Sequence, residues 1–307
     1  MTAGTIAVGQ SALGALITCQ SNTGSGFVDT QTSATQTAVS RNTQSRLLGN
    51  GPRNDVTRNS VFLSTSNLPG AQGQFGQPEL NGWVSVEGRR LDGATSGSTL
   101  DFALGLDRLI STRLIVGALI AYGRQDLTSG ATTTQVNSPS IGGYFATRLG
   151  SDWLADGYLA LARPAYDVNG ATFTASRASF AFGITGNYEG FGLDMSPFAK
   201  LNGYREAQPA YGAVAANDIS RLHASLGTRV APLSELAGGV LPYISVAVDY
   251  GMTDSTAGGR DSFFAPRLGM GFSMALGGGF LSVDLDGGRI QSNVTDLGLR
   301  ATYEMSF

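Results

Sequence analysis

Apolar and polar residues alternate with a period of two in short segments from Trp83 to the end of the chain. The last segment shows it most clearly: one face takes Leu297, Leu299, Ala301, Tyr303, Met305 and Phe307, and the other takes Gly298, Arg300, Thr302, Glu304 and Ser306. Because successive side chains of a strand point to opposite sides of a sheet, each segment predicts a β-strand. About twelve such segments follow one another, separated by turn residues such as Asn169-Gly170.

The two faces of these segments differ in a way that predicts their surroundings. The polar faces combine charges with many Gly, Ala and Ser residues, which suits a confined lumen, whereas the apolar faces carry almost no charge. An outward Arg or Lys at the midplane of a membrane costs about 2–4 kcal/mol. The pattern therefore favours an all-β fold, a transmembrane antiparallel β-barrel of about twelve strands over residues 82–307. A soluble β-sandwich is the alternative, since its strands also alternate.

Residues 1–81 are rich in Ser, Thr, Gln, Asn and Gly and show no alternation, which predicts a linker. Within residues 29–81, a helix is predicted at about 30–48, capped by Asp29 or Thr30 and stopped by Gly49 and Pro52. One face of this helix is small and polar, so we expect it not to anchor to a hydrophobic core but to fit a narrow wet channel. A disordered tether is the alternative.

The lengths of the connections predict which end of the barrel faces which side. The predicted turns at 109–112, 149–152 and 189–190 are short, while those at 125–138, 167–176 and 207–218 are long. Membrane barrels of this class pair short periplasmic turns with longer extracellular loops. We therefore expect the barrel to begin at its periplasmic end, so that the N-terminal segment can thread the pore.

Composition agrees with a membrane barrel and excludes several functions. Only 14% of the 307 residues are charged, where a soluble domain has about 25%. The formal net charge is −3, so no basic field predicts nucleic-acid binding. Cys19 is the only cysteine, which excludes an internal disulfide framework and a thiolate metal cluster. No cofactor or metal site is predicted.

The ionisable residues of the polar faces are candidates for chemistry, but a structural role in the lumen accounts for them better. His223 is the only histidine, so a Ser-His-acid triad would have to use it, yet it shares the predicted lumen face with Arg221 and Arg229. Paired carboxylates are expected to bind lumen arginines such as Arg267, Arg289 and Arg300. The predicted lumen-lining residues are Asp101, Asp107, Glu189, Arg221, His223, Arg229, Arg267, Asp284, Asp286, Arg300 and Glu304.

Residues 82–307 resemble the β-domain of the classical autotransporters, the translocator unit of type V secretion. The resemblance rests on loose motifs in matching order: Gly82-Trp83-Val84-Ser85-Val86, Leu104-Gly105-Leu106-Asp107, Leu114-Ile115-Val116-Gly117-Ala118, Ser196-Pro197-Phe198-Ala199-Lys200-Leu201, Leu226-Gly227-Thr228-Arg229 and Leu241-Pro242-Tyr243-Ile244-Ser245-Val246. Residues 36–48 are similar in position and character to the helix that members place in the pore.

The resemblance implies a barrel in the outer membrane of a Gram-negative bacterium, in contact with outer-membrane lipid, that supports secretion or cell-surface display of an N-terminal passenger. Residues 1–28 would then be linker or the remnant of a passenger. The final strand resembles the signal that the barrel-assembly machinery recognises, which carries over to Tyr303, Met305 and Phe307. A self-standing outer-membrane channel or adhesin is the alternative, and no enzymatic activity is expected.

Overall fold

The computed structural model describes residues 30–40, 42–43, 47, 55–57, 60–64, 80–91, 96–212, 214–233, 236, 240–276, 279–291 and 294–305. Helix α1 comprises residues 30–40 together with 42, 43 and 47. Over the described ranges, no helix has the length and apolar character needed to cross a membrane.

All strands of the described residues belong to one 17-stranded sheet. In chain order they are β1 (Asp55–Thr57), β2 (Ser60–Ser64), β3 (Leu80–Leu91), β4 (Ser96–Ser111), β5 (Leu114–Ser129), β6 (Thr132–Arg148), β7 (Trp153–Ala162), β8 (Ala165–Val168), β9 (Ala171–Thr174), β10 (Ser176–Gly186), β11 (Tyr188–Gly190), β12 (Leu193–Gln208), β13 (Asn217–Pro232), β14 (Val240–Ser255), β15 (Gly259–Leu276), β16 (Gly279–Gln291) and β17 (Val294–Met305).

Some neighbouring strands are parts of one longer segment. β7 and β8 are interrupted only at Arg163 and Pro164, where proline has no N–H to donate to the ladder. β9, β10 and β11 likewise form one segment, interrupted at single residues. With the short β1–β2 hairpin set apart, the described chain forms twelve wall segments, which confirms the predicted number.

The wall segments pair antiparallel with their neighbours in chain order, from β3 with β4 through to β16 with β17. The ring of pairings closes through the short hairpin, because β17 pairs with β1, β1 with β2, and β2 with β3. The alternation of the sequence did not predict these two short strands. The predicted antiparallel barrel is thus confirmed.

The two faces of the wall are sorted as the sequence predicts. In β4, Asp101 and Asp107 are buried, whereas Leu104 and Leu106 between and beside them are exposed. The same alternation of buried and exposed residues continues through β5 and β6. Large apolar side chains therefore cover the outside of the ring, and the small and polar residues face its interior.

Two of the predicted long loops are wrong, because the strands continue through them. β5 and β6 are joined by Gly130 and Ala131 alone, and β8 and β9 by Asn169 and Gly170. Asn169 and Gly170 have φ values of 50° and 87°, which tight hairpins with a type I′ turn require. Threonine is abundant in both stretches, and its β-branched side chain favours strands although it is polar. The connection between β12 and β13 is a loop, as predicted.

Candidate functional site: the polar interior of the barrel

Helix α1 runs along the interior face from one end of the barrel to the other. Near its start, the Gln31 amide donates to the carbonyl of Ser138, six residues beyond the β5–β6 turn, with Nε2 to O at 2.8 Å. Near its end, the Asn42 amide donates to Asp107 at 2.7 Å, close to the opposite turn between β4 and β5. We call the first end of the barrel the upper end and the second, which also carries Leu80, the lower end.

A buried polar group fixes the helix at the upper end. We call it the upper cluster; it comprises Gln31, Ser138, Tyr166, Arg177, Glu206 and Gln208. Its centre is an ion pair in which Arg177 Nη2 lies 2.6 Å from Glu206 Oε2, with side-chain exposures of 2% and 0%. Arg177 also donates from Nη1 to Gln31 Oε1 at 3.2 Å, so the ion pair is connected to the helix.

The remaining hydrogen bonds of Glu206 explain how so buried a pair is tolerated. The Tyr166 hydroxyl and the Gln208 amide both donate to Glu206 Oε1 at 2.7 Å. Two buried charges recover their cost of desolvation only when the geometry is good and further hydrogen bonds satisfy their remaining polar atoms. The upper cluster meets both conditions, and it includes a residue of α1.

In the middle of the barrel, α1 contacts strands β7, β10 and β12. Gln36 donates to the carbonyl of Phe182 and accepts from the Asn202 amide at 3.0 Å. The Tyr158 hydroxyl donates to the carbonyl of Thr32 at 2.9 Å. Each turn of the helix is therefore bound by a different part of the wall.

A second buried group, the lower cluster, comprises Asn42, Asn81, Trp83, Asp107 and Tyr144. Asp107 Oδ2 accepts from the Asn42 amide and from the Tyr144 hydroxyl, each at 2.7 Å, while the Asn81 amide donates to Asn42 Oδ1 at 2.9 Å. The Trp83 indole donates to the Tyr144 hydroxyl at 2.6 Å. One carboxylate thus joins the helix to strands β3, β4 and β6. Beside this group, the Ser40 hydroxyl donates to Asp156.

The expectation that α1 could not anchor to a hydrophobic core is wrong. Val39 and Leu47 are buried together with Ile115, Leu119 and Leu154 in one apolar cluster. The alternation of the sequence predicts a wholly polar interior, whereas the lower half of the inner wall is partly apolar. Apolar contacts therefore add to the hydrogen bonds that hold the helix.

The structure places the predicted lumen residues in several different settings. Asp101, Asp107 and Arg221 are buried, Arg229 stacks on the Tyr243 ring with its guanidinium carbon 3.7 Å from the ring centroid, and Glu189 is exposed beside the turn to β12. The backbones of Asp284, Asp286, Arg300 and Glu304 lie in β16 and β17, but their side chains fall outside the described part.

His223 and Arg267 come together at a residue that the sequence did not single out. Arg267 Nε lies 2.7 Å from Asp249 Oδ2, and His223 Nε2 lies 3.9 Å from the same oxygen. Arg267 was expected to pair with a lumen carboxylate, and Asp249 is such a residue, although it was not among the carboxylates predicted to line the lumen. Within the described ranges no serine hydrogen-bonds to His223.

Arg177, Glu206, Asp156 and Asn42 are further interior residues that the sequence did not single out. A signal for Arg177 was present, since it lies on the polar face of its segment, opposite the face that carries Phe180 and Phe182. Its partner could not be identified, because Glu206 lies 29 positions away. Of the predicted assembly residues, Tyr303 and Met305 contribute backbone to β17, while their side chains and all of Phe307 lie outside the described residues.

Comparisons with known proteins agree with this architecture. The model of the Autotransporter beta-domain family matches residues 80–263. Among solved structures, the β-domain of the Bordetella autotransporter BrkA is 21% identical, with a TM-score of 0.53 over 74% of this chain and 98% of that one. The translocator domain of the autotransporter NalP from Neisseria meningitidis is 12% identical, with a TM-score of 0.55 over 94% and 98%. No curated protein sequence matches significantly.

Proposed function

Because the chain belongs to the autotransporter β-domain family, we propose that α1 is a linker helix that occupies the pore of the barrel after an N-terminal passenger has crossed the outer membrane. The barrel itself is an outer-membrane translocator that supports secretion or surface display of a passenger. The family match supports this function over a self-standing channel or adhesin.

The observation that carries the proposal is the set of hydrogen bonds between α1 and the wall. Polar side chains at both ends and in the middle of the helix bind segments from β3 to β12. A linker that had only to tether a passenger would need no such fit. These bonds hold the helix along the interior face, where it blocks passage of solutes.

The direction of α1 supports the proposed order of domains. We assign residues 1–28 to linker or passenger remnant, residues 29–81 to the linker with its pore helix, and residues 82–307 to the barrel. An even number of wall segments leaves both ends of the barrel on the periplasmic side. The lower end is then periplasmic and the upper end extracellular, so the start of α1 points out of the cell, as display of a passenger requires.

The ionisable residues predicted from the sequence to line the lumen keep that assignment in this proposal. They are Asp101, Asp107, Glu189, Arg221, His223, Arg229, Arg267, Asp284, Asp286, Arg300 and Glu304. Pairs such as Arg267 with Asp249 support this role, because opposite charges in a confined channel neutralise one another. We assign no catalytic role to His223. Full-length protein should hydrolyse no lipid above background, and hydrolysis lost in His223→Ala would contradict this assignment.

Assembly is proposed to depend on the last strand. The backbone of β17 forms the chain's final wall segment, and an unpaired amphipathic strand is a template for pairing with another sheet. Tyr303, Met305 and Phe307 are the residues that we expect the barrel-assembly machinery to recognise.

Single-channel conductance in a lipid bilayer tests the pore helix. We compare the full chain with a chain that lacks residues 1–47. Removal of the helix should raise the conductance several-fold, because the interior face is then open to water, and identical traces would exclude the proposed plug.

A matched pair of full-length variants separates the helix contacts from loss of the N-terminal region. Gln36→Ala with Asn42→Ala removes side chains that bind the wall. Ser33→Ala with Thr37→Ala changes two partly exposed residues of the same helix, which form no hydrogen bond in the described structure. Only the first pair should show more frequent openings.

A further inference from the structure

Arg124 of β5, Arg163 after β7 and Arg205 of β12 project from the outer face of the barrel near its upper end. Each is exposed and lies on the outward face of its strand. Arg163 directly continues the outward row of Leu159 and Leu161, which are 69% and 66% exposed. Arg163 therefore stands at the border where the apolar outer surface ends, and Arg124 follows the exposed Ile120 and Tyr122 of β5. We call the three residues the arginine row.

The register of the sheet places the arginine row at one height. Arg205 pairs with Ala178, which pairs with Leu161, so Arg163 stands two residues above the position of Arg205 and two segments away. Arg124 pairs with Asn137, two residues above Pro139, whose carbonyl accepts from the Arg163 amide. The step from Arg163 to Arg124 is thus again two residues over two segments.

Strand tilt converts this diagonal into a level line. A step of one residue per segment, about 3.3 Å along a strand for about 4.8 Å across, corresponds to a slope of roughly 35°. Strands of outer-membrane barrels tilt by about 35–45°, so the two slopes nearly cancel. The arginine row then runs parallel to the membrane, with neighbouring Cα atoms about 12 Å apart.

The surroundings of the row distinguish it from an ordinary solvated surface. Below it, Ile120, Ile141 and Leu161 lie side by side in register, each at least half exposed. Polar Asn137 and Ser176 lie exposed between the arginines. The outer surface thus changes from apolar to basic and polar at the height of the arginine row.

The carboxylates near the arginine row do not neutralise its positive charge. Asp126 and Asp218 lie one step further from the apolar surface, at 3.2 Å from Arg124 and 3.7 Å from Arg205. Both pairs are well exposed, and exposed ion pairs of this kind are weak. Arg163, at the centre of the row, forms no ion pair with any described residue.

We propose that the arginine row binds the phosphate groups of a phosphorylated glycolipid of the outer leaflet, with its acyl chains on the Ile120–Ile141–Leu161 surface. Guanidinium groups bind phosphate through paired hydrogen bonds. This inference rests on the orientation proposed above, in which the upper end is extracellular, and it does not depend on where α1 lies. Channel conductance should therefore be unchanged when the row is removed.

Binding of fluorescently labelled lipopolysaccharide to the full chain in nonionic detergent tests the proposal. Each single Arg→Gln substitution in the row should raise the apparent Kd about fivefold. Arg124→Gln, Arg163→Gln and Arg205→Gln combined should raise it about a hundredfold. Arg113→Gln is the matched control, since Arg113 is an exposed arginine in the β4–β5 turn at the opposite end. Its Kd should equal that of the wild type.

Further probes identify the ligand. Dephosphorylated lipopolysaccharide should bind as weakly to the wild type as intact lipopolysaccharide does to the triple variant. Inorganic phosphate should not compete at an equal phosphate concentration. An unchanged Kd for the triple variant, equal binding of the dephosphorylated lipid, or full competition by inorganic phosphate would each overturn the proposal. The Kd of Arg163→Lys, which keeps the charge, should lie between those of the wild type and Arg163→Gln. This conservative single variant keeps the proposal testable if the triple variant does not fold.

Discussion

Arg177 and Glu206 show how much a single interior contact contributes. Because the pair has almost no contact with solvent, removal of one partner leaves a buried charge without compensation. Arg177→Met should lower the free energy of unfolding by about 3–5 kcal/mol, measured by urea denaturation in lipid vesicles. Arg177→Met combined with Glu206→Leu should be less destabilised than Arg177→Met alone, because apolar groups then replace both charges. A double variant with a lower free energy of unfolding than Arg177→Met would contradict this account.

Gly105 is required by the close approach of an aromatic ring. A Cβ atom at this position would lie 2.3 Å from Cε2 of Trp83. Trp83 is itself held by its hydrogen bond to Tyr144, so it cannot easily withdraw. Gly105→Ala should therefore destabilise the barrel by about 1–3 kcal/mol, measured in the same urea titration.

Gly143 provides the control for this prediction. A Cβ atom there would have its nearest neighbour at 3.6 Å, which is an ordinary contact. Gly143→Ala should leave the unfolding midpoint unchanged or raise it slightly. Equal effects of the two substitutions would show that the contact with Trp83 is not the cause.

At the scale of elements, α1 is stabilised by its packing against the wall rather than by intrinsic helix propensity. Ala38 is buried, with 1% exposure, in the middle of the helix. Ala38→Pro removes a helical hydrogen bond and introduces a clash, at a cost of about 3 kcal/mol or more. The pore should open more often in conductance recordings, while the barrel keeps its heat-resistant migration on a gel.

Ala38→Gly is the graded control, since glycine lowers helix stability by only about 1 kcal/mol. Its conductance should lie between those of the wild type and Ala38→Pro. Unaltered conductance in the proline variant would mean that the helix does not close the pore.

The sequence predicted the elements better than their contacts. Twelve wall segments and the sorting of their faces follow from period two alone, as the residues of β4 show. The polarity of the stretch from Thr132 to Ser138 predicts a loop, whereas the strand preference of its threonines agrees with the observed β6. The bond between Asn42 and Asp107 joins residues 65 positions apart, and no local pattern specifies such a pair. The sequence therefore predicts the strands but not the contacts between residues that are far apart along the chain.

At the scale of the whole molecule, the barrel reverses the rule that holds for soluble proteins. Its exposed face is apolar and its interior holds the charges, so the two faces of one strand should respond oppositely to the same substitution. Leu226 is 67% exposed and lies in register between Ala199 and Val248 on the outward face of β13. Ser225, its neighbour, belongs to the opposite face and pairs with Lys200 and Asp249.

Leu226→Arg should destabilise the barrel in lipid vesicles by about 2–4 kcal/mol, since it places a charge against the acyl chains. Ser225→Arg should cost less by the same measurement, about 0–1 kcal/mol, because its charge meets a polar interior in which Asp249 on one adjacent strand offsets Lys200 on the other. In a soluble sandwich the order would be reversed, because an exposed Leu→Arg change is then harmless. Urea titration of both variants therefore distinguishes a lipid-facing exterior from a water-facing one, and a tolerated Leu226→Arg would contradict a membrane barrel at this height.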